Sequence, residues 1–224
     1  MKLALCNEVL RHLSWDAQCR HAAALGLQGL EIAPFTLADD PRTITPTMAV
    51  GWRATAAPHG RHVSSLHCLL VRAAGLSLST PDAALHARTV DFLRHLIDIA
   101  AACGAQVLVH GSPQQRSPGP GQSAEDALAR AEDGWRQLAP AAEAAGLVYC
   151  IEALSRHEAG LLNTVGQAAA VVARIGSPAL RTMIDLSAAA LTEAEDPHAV
   201  LARHLPTGDI AHVQVNDANR RDPG

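Results

Sequence analysis

LVYCIEALSRHEAGLLNTVGQAAAVVARIGSPALRTMIDLS, residues 147–187, carries the rhythm that decides the fold. It opens on an apolar run, 147–152, suited to a pleat buried on both faces, and that run ends in Glu152. A polar loop follows. Residues 164–175 read as an Ala- and Val-rich helix closed by Gly176. A second apolar run, 180–185, ends in Asp185. Strand, helix and strand in this order make a βαβ unit, and repetition of that unit makes a parallel sheet.

The unit repeats in both directions. Upstream, strands are expected at 2–6, 29–32, 62–70 and 107–110, and downstream at 210–215. Ser14 fits the N-cap of a helix to Leu25, with Gly26 just past its end. Pro46 fits the first turn of a helix ending near Ala57. Thr80 and Pro81 read as cap and first turn of a long helix to Ala102, and Ser123 with Asp126 reads as a capping box for a helix to Ala145. Asp196 and Pro197 open a short helix to about His204, and residues 111–122, which include SPGPG, read as a loop. Seven strands that each feed a helix, with no linker or composition shift, predict an α/β fold: a single (β/α)8 TIM-barrel domain over 1–224, truncated after strand seven. An open doubly wound sheet is the runner-up. That fold usually carries a Gly-rich turn after its first strand, and CNEVLRHLSW contains no glycine.

Composition removes several chemistries. Cys6, Cys19, Cys68, Cys103 and Cys150 are odd in number and lack CxxC spacing, which argues against a disulfide framework or a structural zinc site and suits a cytoplasmic protein. The only lysine is Lys2, a poor position for a desolvated Schiff-base amine. There is no Walker A loop, no apolar run long enough for a transmembrane helix, and a net charge of −4, so neither a nucleic-acid nor a membrane partner is expected.

Polar residues recur at the C-terminal ends of the expected strands: Asn7, Glu31, His67, His110, Glu152, Asp185 and Gln214. In a barrel these ends converge on one mouth. A carboxylate after a buried strand is costly unless it meets donors or a cation, so Glu152 and Asp185 read either as structural acids, for instance an N-cap, or together as a metal or substrate site. The amide oxygen of Gln214 is a hard donor that fits beside them, and an all-oxygen set favours Mg²⁺ or Mn²⁺ over Zn²⁺. His67 and His110 fit packed core histidines as well as site residues. The loop after Glu152 adds Arg156 and Glu158. Ser112 and Arg116 fit a phosphate contact, and equally a plain βα loop.

Together LVHGSPQQR, IEALSRHEAGLLNT, MIDLS and HVQVNDANRRDPG resemble the xylose isomerase-like TIM-barrel superfamily of sugar isomerases and epimerases, including its D-tagatose 3-epimerase and hydroxypyruvate isomerase branches. The resemblance runs in order along almost the whole chain. It implies Glu152, Asp185 and Gln214 as ligands of a divalent metal, Mn²⁺ or Mg²⁺ foremost, with Co²⁺ and Zn²⁺ also admitted. It implies Glu152 as catalytic acid/base and Glu158 and Arg220 as sugar contacts, with His67 and His110 completing the substrate set. The implied reaction is proton transfer beside the carbonyl of a ketose or related hydroxy-carbonyl sugar through an enediolate. Two departures stand out. The Asp strand continues Asp185-Leu-Ser-Ala188, without the histidine of DxxH, and the strand-eight Glu that would be fourth ligand and second acid/base is not among the 224 residues. The expectation is a piece of a longer protein whose own activity is impaired. An abasic-site endonuclease-like hydrolase and an inactive sugar-binding barrel are the alternatives, and a homo-oligomer is admitted.

Overall fold

The structure, a computed structural model, describes residues 2–217. Seven strands form one parallel sheet whose order is that of the chain: β1 (Ala4–Cys6), β2 (Gly29–Ile32), β3 (His62–Leu66), β4 (Val107–His110), β5 (Val148–Glu152), β6 (Leu180–Asp185) and β7 (Ile210–Gln214). Between them run α1 (Trp15–Ala24), α2 (Pro46–Ala56), α3 (Ala83–Cys103), α4 (Pro113–Arg116), α5 (Ala124–Ala144), α6 (Val165–Ile175), α7 (Leu186–Thr192) and α8 (Pro197–His204).

Alternation along each strand assigns the two faces. Val109, Cys150 and Met183 meet on the inner face, with Val107 and Val148 beside them. Leu108, Tyr149, Ile151 and Leu180 point the other way, into a core shared with Leu93, Leu96, Trp135, Leu138 and Val171 of the helices. Each of these side chains is worth roughly 1.5–3 kcal/mol on burial, so the sheet–helix layer is the main source of cohesion. Packing there is close enough to dictate a glycine. A Cβ on Gly134, in the middle of α5, would lie 2.9 Å from Leu78 Cγ and overlap Cδ1.

The sheet curls. Inner-face side chains of β7 reach β2: His212 Nε2 lies 3.0 Å from Glu31 Oε1, and Gln214 Nε2 donates to Glu31 Oε2 at 2.9 Å. A flat sheet would hold its second and seventh strands many strand-widths apart. Among the described residues no strand pairs β7 to β1, so this is a TIM-barrel sheet of seven staves.

Four local expectations need correction. β3 stops at Leu66 rather than Leu70, because Cys68 has φ 51° and turns the chain out of the pleat. The cap of α3 is Asp82, whose Oδ1 accepts from the N–H groups of Ala84 and Leu85 at 2.8 and 3.0 Å; Thr80 instead caps Asp82 itself. The 111–122 loop contains one helical turn, α4. A further helix, α7, follows β6 directly. No helix among the described residues is long and apolar enough to cross a membrane.

Candidate active site at the strand ends

Parallel register places the acids. Asp185 is paired with Gln214 across β6 and β7, and Glu152 is paired with Met183, one inner-face step below Asp185. All three point inward at the C-terminal rim, where Glu152 and Asp185 are 7% exposed. The loop side packs tightly, since a Cβ on Gly111, just past β4, would overlap Glu152 Oε2 and sit 3.2 Å from its Cδ.

The two acids are held differently. Asp185 is the N-cap of α7: its Oδ1 accepts from Ser187 and Ala188 N–H at 2.8 and 3.1 Å. That leaves Oδ2 with one long contact, 3.5 Å from Asn216 Nδ2, and no donor from the helix. The Glu152 carboxyl accepts no hydrogen bond from the described residues. Burial, and then the negative charge of Asp185, push it up to about 8, with Arg116 acting against them. A buried acid without donors beside a second acid is stabilised by added positive charge, of which Arg116 supplies part.

Glu31 is the opposite case. Burial alone would raise it, but the His67 and His212 rings and the Ser65 hydroxyl outweigh burial and bring it down to about 2. Ser65 Oγ donates to Oε1 at 2.8 Å. An ionised carboxylate only accepts, so the NH₂ of Gln214 must face it. The amide oxygen of Gln214 is thereby turned away from Glu31 and left as an acceptor. Glu31 thus orients a candidate ligand from the far side of the barrel.

Arg116, the last residue of α4, is fully buried, and none of its three guanidinium nitrogens has a hydrogen-bond partner among the described residues. Burial pulls it down to about 10, while the charges of Glu152 and Glu158 oppose that shift, so both acids lie within electrostatic reach. It is cationic at neutral pH and holds five unspent donors beside the mouth. Ser112, its expected partner for phosphate, is committed elsewhere, because its Oγ accepts from Leu70 N–H at 3.1 Å. Glu158 sits in the loop after β5, where its Oε2 accepts from the Ser155 hydroxyl at 2.8 Å. His67 lies at the rim, its Nε2 3.1 Å from Cys6 Sγ and 3.7 Å from Glu8 Oε2. Arg220 lies outside the described residues.

His110 does not join this set. Its ring shares the outer face with Leu108 and is completely buried against Trp135 and Tyr149. Trp135 Nε1 donates to Nδ1 at 3.1 Å, so the proton sits on Nε2. Burial, then Arg116, lower its basicity to a pKa of about 3 and keep it neutral. Alternation along VLVH already placed His110 opposite Val109. The substrate role given to it from sequence is therefore corrected to a core hydrogen bond.

The donor set fits a divalent metal. Asp185 Oδ2 is not used by the helix cap, the Gln214 amide oxygen is turned away from Glu31, Glu152 accepts no hydrogen bond from the described residues, and all three offer hard oxygen. The sequence profile described as the xylose isomerase-like TIM barrel matches residues 19–224. The chain belongs to that family. Solved structures agree on the fold. D-psicose 3-epimerase from Clostridium cellulolyticum H10 with D-tagatose superposes at TM-score 0.83, 19% identical, covering 100% of this chain and 76% of that one. A D-psicose 3-epimerase in the presence of D-fructose gives 0.81 at 19% identity, covering 99% and 75%. The 3-keto-D-glucoside 4-epimerase of E. coli gives 0.81 at 16%, covering 98% and 80%. This family member therefore spans three quarters or more of each of these neighbours.

Sequence reading missed His212 and the importance of Arg116. His212 shares its face with Gln214, two residues on, so alternation within AHVQ was a sufficient signal. Nothing in the sequence shows that Arg116 is buried.

Proposed function

We propose that this chain carries the proton-transfer half of a metal-dependent ketose isomerase or epimerase. The observation that carries the reading is Glu152: a buried carboxyl without donors, pushed up to about 8, next to a second acid on the following strand. A bound cation would lower this carboxyl again and keep it ionised, the form in which it can accept a proton. When bound, a divalent cation held by Glu152, Asp185 and Gln214 supplies Lewis-acid charge for a hydroxy-carbonyl sugar.

The chain's own residues do the rest. Glu152 removes the proton from the carbon beside the carbonyl and returns it. Asp185 is immobilised by the first turn of α7, which fixes the direction of its free oxygen. Glu31 holds the amide of Gln214 in one orientation. Glu158 and the Arg116 fork offer an acceptor and donors for sugar oxygens, with His67 at the rim. Arg220 is assigned a sugar contact by family resemblance. A small-molecule substrate in a cytoplasmic setting fits these features.

The test uses the 224-residue chain with Mn²⁺ and a panel of ketoses in D₂O. One base that removes and returns a proton on a single face is enough for exchange. The expected result is deuterium at the carbon beside the carbonyl, lost in Glu152→Gln. Absence of exchange with every ketose, at saturating Mn²⁺ binding, would refute the proposal and leave a sugar-binding barrel.

A further inference from the structure

A second set of donors gathers at the ends of β1, β2 and β3. We infer that Cys6, Glu31 and His67, with Glu8 and Cys68 beside them, form a thiolate-bearing divalent-metal site that takes Zn²⁺ and is separate from the Glu152–Asp185–Gln214 set.

Geometry carries this. One ligand atom each from Cys6, Glu31 and His67 lie within 4.8 Å of one another, and the same holds for Glu8, His67 and Cys68. His67 is common to both groups, with Cys6 Sγ 3.1 Å and Glu8 Oε2 3.7 Å from its Nε2. Ligands bonded to one tetrahedral zinc at about 2.0–2.3 Å stand roughly 3.5 Å apart, so both contacts already bracket that spacing. The topology supplies the convergence. Cys6 ends β1, Glu8 sits in the turn that follows, Glu31 is near the end of β2, and His67 and Cys68 follow β3. The left-handed backbone of Cys68 breaks the strand alternation directly after His67.

The donor chemistry selects the ion. Sulfur and imidazole favour Zn²⁺ or Co²⁺, whereas the hard oxygens of Glu152, Asp185 and Gln214 favour Mn²⁺ or Mg²⁺. Glu31 retains capacity for the role. Its Oε1 is used by Ser65 and His212, but Oε2 accepts only from Gln214 and keeps a lone pair. Cys6 and Cys68 are free thiols, neither fully buried, so an ion has a path in. Without metal, burial and then Glu31 push the Cys6 thiol up to about 12. Coordination therefore breaks an S–H bond, forms an S–metal bond and releases one proton to solvent for each thiol that binds.

The competing account is a bare S–H···N hydrogen bond between Cys6 and His67. Titration of the reduced full chain with Co²⁺ alone separates the two. The expected result is a sulfur-to-cobalt charge-transfer band in the near ultraviolet that zinc abolishes. The band persists in the Glu152→Gln/Asp185→Asn double variant and in Cys19→Ser. In Cys6→Ser and in His67→Gln, cobalt binds at least tenfold more weakly, with circular dichroism confirming the fold. Absence of the band in the unmodified protein overturns the inference, and so does a band of undiminished intensity in the Cys6→Ser/Cys68→Ser double variant. The first of these readings needs no variant to fold.

Discussion

Gly111→Ala tests the candidate site at its tightest point. The glycine does not use a left-handed backbone, so alanine is conformationally admissible and stabilises by up to about 1 kcal/mol through the unfolded chain. Its Cβ, however, would fall on Glu152 Oε2 and within 3.2 Å of Cδ. The obstructing atom is the tip of a side chain, so the carboxylate moves and the backbone stays. Regaining van der Waals separation of about 3.5–4.0 Å displaces the carboxylate oxygen by on the order of 1 Å. A misplacement of that size costs on the order of 10²-fold in rate, or about 2.7 kcal/mol of transition-state stabilisation. The expected outcome is an unchanged or slightly raised Tm, weakened Mn²⁺ binding and deuterium exchange down about 10²-fold. Exchange and Mn²⁺ affinity within twofold of the parent, at equal Tm, would show that Glu152 does not act from this position.

Further outcomes follow from individual residues. Asp185→Asn keeps the cap of α7, because asparagine caps as well as aspartate, so Tm should hold while Mn²⁺ affinity falls at least tenfold; Asp185→Ala should lose a further ~1 kcal/mol in urea melts. Arg116→Met removes the buried cation that opposes the upward shift of Glu152, so that carboxyl should titrate higher still and KM for the sugar should rise. His110 is neutral when folded, with its pKa held at about 3, and takes a proton near pH 6.5 when unfolded. Stability should therefore fall by about 1.4 kcal/mol per pH unit as pH drops from 6.5, and His110→Asn should flatten that limb. Glu31 has the sign of a depressed acid: its contribution is whole above about pH 4.5 and fades as pH falls towards 2, so it adds to acid lability only below the His110 limb. Gly134→Ala should cost about 1–3 kcal/mol in thermal melts, since Leu78 is fully buried and must yield.

Much of this was legible in the chain because parallel strands write their own boundaries. The runs ending in Glu152 and Asp185 gave strand ends to the residue, since a buried pleat tolerates a carboxylate only at its rim. α7 escaped because its cap is Asp185 itself, so one residue served as both strand end and helix start, and no separate Ser, Thr or Pro marked the boundary. Thr80 read as the cap because Pro81 after it suits a first helical turn, yet the side chain that meets the helix N–H groups is Asp82. At the site, Glu31 was visible as a strand end, but its partners on β7 became apparent only once the sheet had curled. Arg116 and His110 exchanged significance for a similar reason. The histidine, which fitted a packed core residue as well as a site residue, is the partner of Trp135, while the arginine of an apparent βα loop is buried.

The bridge from β2 to β7 bears on how the molecule assembles. The six backbone ladders of the sheet all join strands adjacent along the chain, whereas Gln214 and Glu31 are separated by 183 positions. Joining ends so distant carries the largest loop entropy in the fold, so this clasp closes after the six neighbour-to-neighbour pairings are in place. It is equally the first to release, and native-state hydrogen exchange should find the amides of β7 less protected than those of β4 and β5. The amide oxygen proposed as a ligand on Gln214 would thus be aligned only in the last stage of folding.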